Sequence, residues 1–128
     1  MVDLRLGSLV KVHGEWLGII TNINPEDHKE FPYEITSCEI DQDNEPLIEW
    51  CAETDLYEPD YNDYITVYVA VMDYCSCSIR IYTINTYNGY QCEDIELWLE
   101  GHDPNFNDSQ CYWMGSHEKI EVYYEQSN

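Results

Sequence analysis

Positively charged side chains are scarce in this sequence. Its 128 residues include five Lys and Arg against 26 Asp and Glu, which gives a formal net charge of −21. A surface this negative repels nucleic-acid phosphates and anionic membranes, and it attracts basic protein surfaces at electrostatically steered rates. The sequence therefore argues against direct binding to nucleic acid or membrane, and it favours a basic protein as the partner.

Long apolar runs and an export signal are also lacking. Residues 1–10 contain neither a basic segment nor an apolar segment of signal-peptide length, and nowhere do 18 apolar residues follow one another. We therefore expect a soluble, cytoplasmic protein. In a reducing compartment its six cysteines are expected to be free thiols, several of them in the core, rather than a disulfide framework.

Recognisable catalytic motifs are absent as well. The sequence has no Gly-x-Ser-x-Gly, P-loop or dinucleotide fingerprint, and its four histidines are scattered. Carboxylates are so frequent that a pair suited to hydrolysis is expected by chance, so such a pair carries no information. The prediction is a protein that is not an enzyme and needs no cofactor.

One segment partly resembles a calcium-binding loop. The stretch 41–45 places acids at loop positions one, three and five. Pro46 stands where the loop requires glycine, and Ala52 stands where it requires glutamate. A specific calcium site is therefore not predicted.

A second segment, Cys75-Ser76-Cys77, partly resembles a zinc site. It lacks the two-residue spacing and the second matched pair of a convincing site, although Cys111, His102 or His117 are conceivable further ligands. Two thiols on one face of a strand, packed in the core, are the simpler interpretation, so no metal is predicted.

Apolar and aromatic residues are plentiful, at 44% and 14% of the chain. This content excludes a disordered acidic tail, because such tails cannot build a core. The length suits one domain of ordinary size or two small ones that share a core.

The N-terminal half has the pattern of short strands separated by turns. Residues 8–24 predict a β-hairpin around Gly14, residues 33–40 a third strand and residues 47–51 a fourth. A compact turn follows at 52–56. Four short strands closed by such a turn predict a small barrel.

The glycines and apolar positions of these strands carry a family resemblance. Leu6-Gly7-Ser8-Leu9-Val10, Leu17-Gly18-Ile19-Ile20 and Ile48-Glu49-Trp50-Cys51 are similar to the SH3-like barrels common among short phage-encoded proteins. The resemblance covers about residues 4–58. It implies an SH3-like domain over residues 1–60, a phage origin and, with it, the cytoplasm of a bacterial host.

Some SH3-like relatives bind nucleic acid through basic loops, but this chain departs from that pattern. Its corresponding segments carry acids instead, namely Glu26, Asp27, Glu30, Glu34, Asp41 and Asp43. The departure argues against nucleic-acid binding here.

Longer strands are predicted after residue 61. Residues 65–72 and 78–84 predict an antiparallel hairpin, and residues 119–125 predict a last strand. Both faces of the first of these strands are apolar or aromatic, which is typical of a central strand. We therefore predict a second β-rich domain over residues 61–128, packed on the first. The predicted fold is mainly β, an SH3-like barrel followed by an antiparallel meander or sandwich.

Residues 91–100 fit two structures. Ile95, Leu97 and Leu99 alternate with acids as in a strand, whereas Ile95, Trp98 and Leu99 recur at helical spacing behind an acidic start. The alternation slightly favours a strand, and a short helix is the alternative. Tyr87-Asn88-Gly89 predicts a turn before it.

The acids are densest between residues 39 and 60, where nine carboxylates occur without one basic residue. In an extended strand alternate side chains point the same way about 6.7 Å apart, which roughly suits mimicry of phosphates. A solvated face that serves only solubility explains such a run equally well. Two tyrosines complete the predicted partner-binding set: Glu39, Asp41, Asp43, Glu45, Glu49, Glu53, Asp55, Glu58, Asp60, Tyr57 and Tyr61.

Charge, size and the lack of catalytic motifs together predict an acidic nucleic-acid mimic. It would bind and inhibit a basic DNA- or RNA-binding host protein, as acidic inhibitors of restriction, CRISPR or repair enzymes do. Two alternatives remain: a small-ligand-binding protein, or a phage structural or interaction module that uses an aromatic surface. A homodimer is one form open to such a module. The aromatic residues available for that surface are Tyr57, Tyr61, Tyr64, Tyr68, Tyr123, Tyr124, Trp98 and Trp113.

Overall fold

The computed structural model describes residues 2–40 and 45–123. Over these ranges the protein is mainly β, with eight strands in two antiparallel sheets, one α-helix and two short 3-10 helices. The residues form two compact units, each drawn from two stretches of chain. Unit 1 comprises Met1–Ile65 and Thr86–Phe106, and unit 2 comprises Thr66–Asn85 and Asn107–Asn128. The domain boundary at residue 60 stays a prediction.

Unit 1 contains a five-stranded antiparallel sheet with the order β4-β3-β2-β1-β5. The predicted hairpin and the third and fourth strands are confirmed. The turn of the hairpin needs positive φ at His13 (54°) and Gly14 (71°), the combination of a type I′ turn. The strands are β1 (Leu9–Val12), β2 (Trp16–Ile23), β3 (Tyr33–Ile40), β4 (Pro46–Cys51) and β5 (Leu56–Tyr57).

The core of this sheet joins its two edge strands. Cys51 of β4 and Leu56 of β5 belong to the same buried cluster as the apolar residues of the inner strands. Because β4 and β5 stand at opposite ends of the strand order, the sheet must curve to bring them together. The SH3-like barrel itself stays a prediction. The cluster consists of Val10, Val12, Ile20, Ile35, Cys51 and Leu56.

Residues 92–102 form the only α-helix among the described residues, α1 (Cys92–His102), so the strand favoured for residues 91–100 is wrong. The helical spacing decides the structure, because Ile95 and Leu99 lie four residues apart and are 1% and 0% exposed. Asp94 supports the first turn by accepting a hydrogen bond from the Gln91 backbone N–H at 2.8 Å.

Two glycines allow α1 to pack closely against the segment before β1. A Cβ atom on Gly7 would lie 2.3 Å from the Trp98 Cα, and one on Gly101 would lie 2.1 Å from the Leu6 carbonyl oxygen. Backbone meets backbone at both positions, so neither contact can relax by a side-chain movement. The helix is therefore selected by tertiary packing as well as by its own sequence.

The second sheet has the order β7-β6-β8, with strands β6 (Ile65–Asp73), β7 (Ser78–Thr86) and β8 (Cys111–Ser116). The predicted hairpin and the central position of its first strand are confirmed. The predicted last strand is wrong over residues 119–123, which form no strand, and residues 124 and 125 lie outside the described residues. Residues 111–116 occupy the edge of β6 instead, with Val71 opposite Trp113.

Candidate acidic interface

The acids are divided unevenly between the two units. Unit 1 holds 21 Asp and Glu against three Lys and Arg, a formal charge of −18, and unit 2 holds five against two, a charge of −3. A division of the chain at residue 60 would instead assign −12 to residues 1–60 and −9 to residues 61–128. The difference arises because Asp63 and the five acids of residues 86–106 belong to unit 1.

The residues predicted for partner binding are mostly accessible. Tyr57 and Tyr61 are 53% and 84% exposed. Glu49 and Asp55 are half-buried, and Asp41 and Asp43 lie outside the described residues, so the spacing of the predicted acidic row is not measured. The other members are exposed: Glu39, Glu45, Glu53, Glu58 and Asp60.

His13 brings two of the predicted acids together. Its Nε2 lies 3.7 Å from Glu49 Oε1 on β4, and its Nδ1 lies 3.7 Å from Asp55 Oδ1. The His13 backbone N–H also donates to the Asp55 carbonyl at 2.8 Å. Acids from two separate segments thus flank one imidazole, and a protonated ring would attract both. Sequence analysis missed His13, because the pairing of β1 with β5 places it beside Asp55 and the curvature of the sheet brings Glu49 of β4 to it.

Lys11 forms ion pairs at the C-terminal end of the predicted partner-binding set. Its Nζ lies 3.2 Å from Asp60 Oδ2 and 3.1 Å from Asp63 Oδ2. The Asp60 backbone N–H and the Lys11 ammonium hold the pKa of Asp63 below its usual range. Lys11 therefore offsets part of the negative charge next to Asp60, and the acidic surface is not uniform.

Two exposed tyrosines border this ion pair. Tyr57 pairs with Lys11 across the β1–β5 ladder, and the ring of Tyr61 packs edge-on against Tyr64 with centroids 6.1 Å apart. Tyrosine is enriched among the residues that dominate binding energy at protein interfaces. Tyr57 and Tyr61 can therefore supply apolar contact area beside Glu58 and Asp60.

Helix α1 adds a second group of acids that sequence analysis did not assign to the interface. Glu93, Glu96 and Glu100 recur at intervals of three and four residues and so share one face of the helix. Glu93 and Glu100 are exposed and Glu96 is half-buried. The helical spacing of residues 91–100 could have indicated this acidic face, but the alternation in the same segment favoured a strand.

A cleft of about 310 Å³ lies within unit 1 between the sheet and the start of α1. The Tyr87 hydroxyl donates to Asp94 Oδ2 at 2.6 Å there, and burial together with this bond raises the Tyr87 pKa. Burial, reinforced by the charges of Asp94 and Glu39, raises the pKa of the Cys38 thiol to about 12. The Cys38 thiol is thus protonated at neutral pH. The cleft is lined by one tyrosine and no tryptophan.

Ser8, His102 and Asp3 cluster in unit 1 but are not arranged as a hydrolytic triad. Ser8 Oγ and Asp3 Oδ2 both approach the Nε2 atom of His102, at 3.1 and 2.7 Å. In a triad the serine and the acid face opposite ring nitrogens. Here Nδ1 faces the Trp98 carbonyl oxygen at 2.7 Å, so the imidazole links the N-terminal segment to α1.

The cysteine motif lies in a turn rather than in a strand. Cys75 and Cys77 are both exposed, so the interpretation as a core pair is wrong. Asp73 shapes this turn by accepting hydrogen bonds from the backbone N–H groups of Cys75 and Ser76 at 2.9 and 3.2 Å. Across residues 2–40 and 45–123, no three His, Cys, Asp or Glu side chains are gathered as a metal site would require.

No helix within the described ranges combines the length and hydropathy needed to span a bilayer. Compared with protein-family models, curated proteins and solved structures, the chain has no significant match.

Proposed function

We propose that the protein is an acidic nucleic-acid mimic that binds and inhibits a basic DNA- or RNA-binding protein, in an anti-restriction, anti-CRISPR or similar anti-defence role in a phage-infected host. The observation that carries the proposal is the formal charge of −18 in unit 1. The partner-binding surface would combine the acids of the curved sheet with those of α1.

The charge balance supports this function. Three cations cannot neutralise 21 carboxylates, so unit 1 has a strongly negative potential whatever the detailed pairing. A cleft that binds nucleic acid presents Lys and Arg to phosphates and would attract such a surface at long range. The same charge repels itself and destabilises the fold, which is a cost that a binding role would offset.

The arrangement of the acids supports it further. Glu39 lies on β3, Glu53 in the 3-10 helix Glu53–Asp55 and Glu93 on α1, and all three are exposed. Acids on three different elements are not confined to a single row. Acids distributed in this way would suit contact with a broad basic groove, and the exposed Tyr57 and Tyr61 would add the aromatic contacts that charge alone does not supply.

The test is a binding measurement at two salt concentrations. The tagged protein should recover a basic nucleic-acid-binding protein from bacterial lysate at about 0.05 M salt and lose it at about 0.5 M, because the Debye length shortens roughly threefold. Duplex DNA or RNA should compete with the tagged protein for that partner. A recovered partner that resists both salt and nucleic acid would contradict mimicry.

Charge-reversal variants locate the surface. Glu93→Lys combined with Glu100→Lys reverses two exposed acids of unit 1, and Asp108→Lys combined with Glu118→Lys makes the same net change at exposed acids of unit 2. We expect the first variant to weaken binding about tenfold, or about 1.4 kcal/mol, and the second to change it much less. Equal losses would assign the effect to net charge and contradict a localised interface.

A further inference from the structure

An apolar surface is exposed on the sheet β7-β6-β8. We call it the open face. Five large apolar or aromatic side chains on it are accessible to solvent. Their exposed fractions are 44% for Met72, 63% for Ile79, 45% for Ile81, 68% for Tyr112 and 57% for Met114.

The strand register shows that these residues share one side of the sheet. Met72 of β6 pairs with Tyr112 of β8, two positions from the pair formed by Ala70 and Met114. The intervening β6 residues point to the other side, where Val71 is fully buried. An antiparallel sheet with one solvated face normally carries polar residues on it, so an apolar open face requires an explanation.

The open face avoids charge in a chain that is otherwise rich in it. By strand alternation eleven side chains lie on this side of β6, β7 and β8, and not one is Asp, Glu, Lys, Arg or His, in a chain with 26 acids. The segment after β8 completes a groove of about 330 Å³ with Ile120, Val122 and Tyr123, and Glu121 is the one acid among the described residues that line it. The eleven side chains are those of Thr66, Tyr68, Ala70, Met72, Ile79, Ile81, Thr83, Asn85, Tyr112, Met114 and Ser116.

The absence of charged side chains on the open face favours one kind of occupant. A basic partner would lose hydration of its cations against a face whose strands offer no carboxylate, so the proposed target of unit 1 does not fit here. An uncharged apolar surface fits, and the chain itself supplies one, because the same face on a second copy presents no like charge. Unit 2 as a whole carries only −3 of the −21, which makes it the less repulsive of the two units for self-association. We propose that the open face is the interface of a homodimer with two-fold symmetry.

The dimer has a characteristic salt dependence. Each copy carries a formal charge of −21, so the two copies repel one another at low ionic strength, while the apolar contact between them does not depend on charge. Raising the salt from about 0.05 to about 1 M shortens the Debye length to about 3 Å and removes most of this repulsion. Dimerisation should therefore strengthen with salt, the opposite of the proposed binding to a basic protein.

The experiment is to measure the molar mass of the full chain by sedimentation equilibrium over a wide concentration range at both salt concentrations. We expect twice the 15.2 kDa of one chain at high salt, with dissociation at low salt or low concentration. A single-chain mass under all conditions would overturn the proposal.

Two substitutions test the face itself. Ile79→Glu and Met114→Glu each place an acid on the open face, and the matched control Leu47→Glu places one at a residue of unit 1 that is similarly exposed, at 57%. We expect the two variants to be monomeric at high salt with unchanged circular dichroism, and the control to dimerise like the parent chain. A dimer that persists in both face variants would overturn the assignment of the interface.

Other occupants give different outcomes. A full chain that stays monomeric, combined with a chain ending at residue 118 that dimerises, would assign the open face to the chain's own C-terminal segment and overturn the homodimer. A monomer that binds the hydrophobic dye ANS, with binding lost in Met114→Glu, would assign the face to an apolar ligand and would also overturn it. None of these measurements involves a basic partner, so they stand apart from tests of mimicry.

Discussion

At the scale of single residues, His102 is a buried polar group of unit 1 with a contact on each ring nitrogen. Its side chain is 2% exposed, and each ring nitrogen faces an acceptor, the Trp98 carbonyl oxygen or the Asp3 carboxylate. The Trp98 ring stacks on the imidazole with centroids 3.9 Å apart, so neighbours contact both the edge and the face of the His102 ring.

Asp3 contacts His102 from the N-terminal segment. Although burial works to raise its pKa, hydrogen bonds from Arg5 and His102 outweigh burial and hold the Asp3 pKa well below its usual value of 3.8. A carboxyl whose pKa is lowered in the folded state stabilises the fold at pH values above its ordinary pKa. This contribution is lost as the pH falls through and below that value.

We therefore predict that Asp3→Asn lowers the free energy of unfolding by about 1 kcal/mol at neutral pH, a value reduced for the partial exposure of the side chain. The difference from the parent chain should shrink as the pH is lowered below 3.8. Urea unfolding at pH values on both sides of 3.8 measures it, with the exposed Asp108→Asn as the control. An equal effect at every pH would contradict the role of the charge.

At the scale of elements, the local pattern and the observed structure differ at α1 and at the segment after β8. Residues 91–100 carry both a strand and a helix pattern, and the helix prevails because it buries Ile95 and Leu99 and packs its backbone against Gly7. Residues 119–123 alternate well but form no strand, since β8 already pairs with that edge of β6. Alternation describes a single segment, whereas pairing depends on which segment reaches the edge.

Close packing of α1 against Gly7 leads to a prediction about two glycines. Both Gly7 (φ +84°) and Gly14 (φ +71°) have a left-handed backbone, but only Gly7 has neighbours where a Cβ would stand. We expect Gly14→Ala to lower the free energy of unfolding by about 1 kcal/mol from backbone strain alone, and Gly7→Ala to lower it by about 3 kcal/mol or more. Chemical denaturation of the two variants makes the comparison.

Equal destabilisation by the two substitutions would contradict this prediction. If Gly7→Ala and Gly14→Ala destabilise the protein by the same amount, backbone strain explains both, and α1 does not pack against Gly7 as closely as described. A helical circular dichroism signal lost in Gly7→Ala alone would support the packing.

At the scale of the whole molecule, charge and apolar surface are separated. Unit 1 carries −18 and the predicted partner-binding residues, whereas unit 2 carries −3 and the open face. The two proposed associations respond to salt in opposite directions. At a fixed protein concentration, low salt would thus favour the basic partner and high salt would favour the dimer.

The net charge also predicts how folding stability depends on salt. Self-repulsion of a −21 chain is greatest in the compact folded state and is screened by added ions. We expect the thermal midpoint to rise by several degrees between about 0.05 and about 0.5 M NaCl, which corresponds to about 1 kcal/mol for a domain of this size. Scanning calorimetry at the two NaCl concentrations measures this shift. A midpoint insensitive to NaCl would show that repulsion contributes little to stability.

The sequence by itself determined the mainly β class, the first four strands, the central strand β6 and the total charge. These properties follow from composition and from side-chain patterns within short segments. Only the tertiary structure decided between the helix and the strand pattern of residues 92–102, and it alone showed that β8 pairs with β6, that His13 stands between Glu49 and Asp55, and that the charge divides as −18 and −3. Each of these depends on contacts between segments far apart in the chain, which local patterns do not determine.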